Sequence, residues 1–129
     1  MASLVSNLLK IEGDETILAL LAKMVSTDKS LFDFSMVLPA GEWGTRYNEE
    51  VSLRQHEGFL EYDFDTANSQ SEPVTEALSV IFPELKFTHK WEQIENDFSG
   101  YCVYINGKLV ERAYGNYEDY PTREDEDED

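Results

Sequence analysis

Basic residues are scarce in this chain: 10 lysines and arginines stand against 27 aspartates and glutamates, a formal charge of −17. A surface that negative repels phosphate, which disfavours nucleic acid and anionic membrane as direct partners and favours basic proteins. Cysteine is nearly absent. Cys102 stands alone, so no disulfide can form within the chain and no iron–sulfur cluster can be held, which suits a reducing cytosol. Long apolar runs are missing too: the longest, Ile17 to Ala22, is far too short to span a bilayer. The opening Met-Ala-Ser-Leu-Val-Ser-Asn lacks the basic region of a signal peptide. These absences predict a soluble, cytoplasmic protein without membrane contact.

Catalytic and metal-binding patterns are equally thin. No glycine-rich phosphate loop and no paired His/Cys spacing occurs. Asp63-Phe-Asp65 has the opening spacing of a calcium loop, but Ala67 fills the third ligand position and no glycine follows. His89 falls on the apolar face of Leu85, Phe87 and Trp91, where a hydrogen-bonded core histidine is expected, and His56 sits among polar residues at the surface. Cys102, between aromatic neighbours in mid-strand, reads as a buried, inert thiol. The chain is expected to be neither an enzyme nor a cofactor or metal binder.

What is present is a strand–helix–strand unit from Glu57 to Trp91. Leu60, Tyr62 and Phe64 alternate with Glu61, Asp63 and Asp65, so the apolar and acidic sets point to opposite faces of one strand. A helix follows, capped at Ser71 or Glu72, with Pro73 in its first turn and Pro83 ending it. Its stripe is Val74, Ala77, Leu78 and Ile81. An earlier unit has the same order: a strand over Asn7–Gly13, then a helix capped by Asp14 with Ile17, Leu18, Leu20, Leu21, Met24 and Val25 on a wide apolar face. Leu31 to Pro39 then alternates as a strand with Phe32, Phe34 and Met36 inward. Thr45 to Gln55 reads as an added strand. Asn106-Gly107 between two apolar runs predicts a C-terminal hairpin. Two β-α-β halves predict an α+β fold: a ferredoxin-like sandwich with a mainly antiparallel sheet, two helices on one face and that hairpin added. Residues 1–117 form the single domain, and 118–129, ending in six consecutive acids, form an acidic tail.

Several phrases together carry a resemblance: Trp43-Gly-Thr-Arg-Tyr-Asn48, Phe64-Asp-Thr-Ala67, Pro73-Val-Thr-Glu-Ala-Leu78, Phe82-Pro-Glu-Leu-Lys-Phe87 and Phe98-Ser-Gly-Tyr101. From Asn7 to Arg112 the chain resembles the YubB-like ferredoxin-like domain of bacterial plasmids, phages and other mobile elements. The resemblance implies the same fold and a mobile-element setting, and no catalytic residues. The chain departs from that pattern at Leu4-Val5 and at Asn68-Ser-Gln-Ser71.

The acids carry the functional expectation. Without residues 118–129 the body keeps 19 acids against 9 bases, about −10. Glu61, Asp63 and Asp65 recur at every second residue, about 6.6–6.8 Å apart along a strand, close to the roughly 6–7 Å between phosphates of a nucleic-acid strand. Glu49, Glu50, Glu57 and Glu72 lie near them in sequence, and Trp43 and Tyr47 offer an aromatic surface. These nine residues are the expected partner-binding set. The function expected is inhibition of a basic nucleic-acid-processing or defence complex of the bacterial host, wholly or partly by DNA mimicry. A protein–protein adaptor or regulator without such mimicry is the alternative, and an enzyme or nucleic-acid binder on the same fold comes after it.

Overall fold

A computed structural model describes residues 4–43, 45, 48–93 and 98–114. The chain order is β1 (Leu4–Glu12), α1 (Glu15–Val25), two short 3-10 turns (Phe34–Met36 and Ala40–Glu42), β2 (Asn48–His56), β3 (Phe59–Ala67), α2 (Glu72–Ile81), β4 (Lys86–Gln93), β5 (Phe98–Ile105) and β6 (Lys108–Tyr114). The strands form one six-stranded antiparallel sheet in the order β2-β3-β1-β4-β5-β6. Its first four members have the β-α-β-β-α-β connectivity of the ferredoxin-like fold. The β5–β6 hairpin extends that sheet from β4, through Asn106 and Gly107, both at positive φ as a tight primed turn requires.

The first β-α-β half closes through β2, not through residues 31–39, which form no strand. Asp33 explains the difference. Its carboxylate accepts from the Ser35 amide and hydroxyl and from the Thr27 hydroxyl, and these local bonds stabilise a 3-10 turn in place of a ladder. Phe32 and Phe34 still reach the core, packing edge-on to each other and to Phe64, whereas Met36 is 47% exposed.

Two expected core positions also move outward. α1 buries Leu18, Leu21 and Val25, leaving Leu20 58% exposed. α2 buries Val74, Thr75, Leu78 and Ser79, leaving Ile81 46% exposed. The α2 stripe is rotated because two of its members are polar yet satisfied: Thr75 bonds His89, and the Ser79 hydroxyl accepts from the Gly107 amide. Asp14 caps α1 by accepting from the Thr16 and Ile17 amides at 3.0 and 3.3 Å. Ser71 does not cap α2 with its side chain; it sits in a left-handed conformation and bonds the preceding carbonyl.

Apolar residues from α1, α2, the 32–34 segment and one face of the sheet form a single cluster. A polar chain threads it. Asn7 Nδ2 faces only acceptors, the Val5 and Phe64 carbonyls and the Thr66 hydroxyl, so Asn7 Oδ1 is the acceptor facing His89. His89 Nε2 therefore donates to Asn7 at 2.8 Å, and Nδ1 accepts from the Thr75 hydroxyl at 2.8 Å. Thr66 passes its own proton to the Ser69 carbonyl. His89 is fully buried, and burial pushes its pKa down to about 4.

That burial has a pH consequence. Between the ordinary histidine value of 6.5 and about 4 the unfolded chain takes up a proton that folded His89 refuses. Stability contributed by neutral His89 is therefore present above about pH 6.5 and lost as pH falls toward 4, by about 3 kcal/mol in total. Urea unfolding of wild type and His89→Gln should show a stability gap that narrows steadily over this interval. A gap independent of pH would contradict the neutral, donor-fixed histidine.

Candidate functional site

The acidic row is built by β3. Its burial alternates along the strand, with Leu60, Tyr62 and Phe64 in the core and Glu61, Asp63 and Asp65 on the opposite, outer face. The neighbouring strands decide what surrounds the row, because directly opposed residues of an antiparallel pair share a face. β2 sets Arg54 opposite Glu61 and Ser52 opposite Asp63. β1 sets Lys10, Leu8 and Ser6 opposite Glu61, Asp63 and Asp65. Beyond β1, β4 adds Lys86, Thr88, Lys90 and Glu92 to the same face.

The row is not a bare line of negative charge. Arg54 Nε lies 3.2 Å from Glu61 and its Nη2 lies 3.2 Å from Asp63, so one guanidinium brackets two carboxylates. His56 Nε2 approaches the same Glu61 oxygen at 3.1 Å while its ring stacks on Phe59. Lys10 Nζ lies over the Phe59 ring, 4.6 Å from its centroid, and 3.9 Å from Glu12. Glu61 is the most enclosed of these carboxylates, with 13% of its side chain exposed, whereas Arg54 keeps 56%. The outer face thus mixes both signs, with acids in excess on β3.

The other expected site residues divide. Glu50 is exposed at the β2 bulge, with positive φ, and Glu57 is exposed in the β2–β3 turn. Glu49 stands opposite Asp65 in the ladder, and its side chain lies outside the described residues. Tyr47 and the acidic segment 118–129 also lie outside them. Trp43 packs inward: its ring meets Phe34 edge-on at 5.4 Å and its Nε1 donates to the Leu38 carbonyl at 2.8 Å. Glu72 is far across the sheet from the row. It accepts from the Tyr104 hydroxyl at 2.6 Å and pairs with Arg112 on β6. Burial alone would raise its carboxyl, but Tyr104 and Arg112 together hold it below the usual carboxylate range.

His89 and Cys102 are both fully buried, and burial pushes the Cys102 thiol well above its ordinary value. Among the described residues no three His, Cys, Asp or Glu side chains converge to hold a metal ion. No helix among them is long and apolar enough to cross a membrane.

Arg54 is the site residue that periodicity did not single out. The signal was available: a two-residue turn at Glu57-Gly58 pairs His56 with Phe59 and hence Arg54 with Glu61.

The sheet order and the two crossover helices define a ferredoxin-like domain with an added hairpin. The chain belongs to the family described as the ferredoxin-like domain in Api92-like protein, whose model matches residues 42–129. The matched span begins after β1, although β1 lies between β3 and β4 in the sheet. Among solved structures the chain is similar to the protein Api92 from Yersinia pseudotuberculosis, at 23% identity and a TM-score of 0.52. That likeness covers 64% of this chain and 29% of the other, and it shows the fold. The comparison with curated proteins finds no match.

Because Arg54 is solvated, its bracket should add little stability. Arg54→Gln should cost no more than about 1 kcal/mol in urea unfolding, with the loss shrinking at high salt. A loss above about 2 kcal/mol would mark Arg54 as a buried clamp instead of an exposed bracket.

Proposed function

We propose that this domain binds a basic protein through its acidic surface and inhibits it. In this reading it is a small mobile-element protein acting in the bacterial cytoplasm on a nucleic-acid-processing or defence complex of the host. The observation that carries the reading is the row Glu61, Asp63 and Asp65, held on a strand flanked on both sides by other strands, in a chain of net charge −17. Carboxylates fixed by a sheet meet a cationic partner without the ordering cost a loose acidic segment incurs. The mobile-element setting is supported by the resemblance to YubB-like domains.

DNA mimicry is the narrower form of this reading, and Arg54 limits it. A guanidinium already bracketing Glu61 and Asp63 occupies the place an incoming arginine would take. A partner that reads the row as phosphates must displace Arg54, which its solvent exposure makes cheap. The mixed charge of the outer face favours the second reading, an adaptor that docks by charge complementarity without imitating a nucleic acid.

The test uses the whole protein as bait in a bacterial lysate, in three forms: wild type, the Glu61→Gln/Asp63→Asn/Asp65→Asn variant, and Arg54→Gln. Basic proteins captured by wild type should be lost from the triple variant and enriched on Arg54→Gln, and duplex DNA should elute them if mimicry operates. Identical captures on wild type and triple variant would overturn the row as the binding surface.

A further inference from the structure

The acids best placed to meet a partner are not those of the row. Glu61 and Asp63 already face Arg54, whereas Glu15 and Glu57 are exposed and have no ion-pair partner among the described residues. Both lie on the rim of one groove, between α1 and the β2–β3 hairpin, with a volume of about 350 Å³. Its floor is apolar, with Leu18 and Leu60 buried and Ala22 half-buried, and the exposed Ala19 lines it beside them. The groove is open because α1 presents Ala19 and Ala22 there, while Leu21 between them in sequence is buried in the core.

We infer that this groove anchors one arginine or lysine side chain of a basic protein partner. The inference rests on the acidic-surface reading above and names the pocket it requires. A long basic side chain is the chemistry that fits: its methylene stem lies on apolar surface while its cation stays at a wet, charged rim. Glu15 from the first turn of α1 and Glu57 from the hairpin turn supply carboxylates from two separate elements. His56, in the hairpin, lines the groove and also reaches Glu61 through Nε2 at 3.1 Å, so one residue touches both the groove and the first carboxylate of the row.

The experiment follows amide chemical shifts of the whole 15N-labelled protein titrated with hexa-arginine peptide, with hexa-citrulline as the uncharged control. Shifts should centre on Ala19, Ala22, Gln55 and Glu57. Glu15→Gln/Glu57→Gln, which alters only exposed side chains, should weaken binding by about tenfold, and Ala22→Phe should do the same by filling the floor. Shifts confined to residues 61–65, an unchanged affinity in the double glutamine variant, or equal binding of citrulline would each overturn the groove. The first of these leaves the acidic-surface reading standing. No binding of the arginine peptide anywhere would sink both. Thermal unfolding of each variant separates a blocked groove from a damaged fold.

Discussion

His89 is where the fold is tied together. It stands on β4, donates to Asn7 on β1 and accepts from Thr75 on α2, and Asn7 in turn reaches the Phe64 carbonyl and Thr66 on β3. Three strands and a helix therefore share one ordered chain of protons inside an apolar cluster. Such a chain tolerates little substitution, because each member left without its partner is a buried polar group that has lost its water as well. The network also fixes register. A slip of β1 by one residue against β4 would turn Asn7 to the outer face and leave both His89 and Thr75 unsatisfied.

With register fixed, the outer face of β3 follows. Burying Leu60, Tyr62 and Phe64 forces Glu61, Asp63 and Asp65 outward in a straight row. The same register brings Arg54 across from Glu61. The sheet thus produces both the acidic array and its internal counter-ion, while Glu15 and Glu57, exposed and without an ion-pair partner among the described residues, stand at the groove beside α1. Charge on this face is laid out by strand pairing, and its local balance is the difference between the row and its bracket.

Alternation and turn chemistry were legible wherever they were unopposed. β3, β4, the Asn106-Gly107 hairpin and the Asp14-capped helix could all be read from residue spacing and φ preference. The reading failed where a local hydrogen bond competed with a pattern. Leu31 to Pro39 has the period of a strand, but Asp33, Ser35 and Thr27 satisfy the backbone locally. Ile81 has the hydropathy of a core residue, but the α2 stripe turns toward Thr75 and Ser79, whose burial depends on partners distant in sequence. Arg54 was overlooked for a related reason: its importance lies in cross-strand pairing, which residue type alone does not display. The helix side of Glu72 was likewise hidden, since its partners Tyr104 and Arg112 come from the far hairpin.

The claim that a sheet-held acidic surface engages a basic protein is tested most directly by the salt dependence of that complex. Dissociation constants for the captured partner should be measured by calorimetry from about 50 to 500 mM salt, across which the screening length contracts from well over 10 Å to a few ångströms. For wild type the affinity should fall steeply as salt rises, and for the variant neutralised at Glu61, Asp63 and Asp65 the slope should flatten markedly. Superimposable slopes for the two proteins would contradict the account.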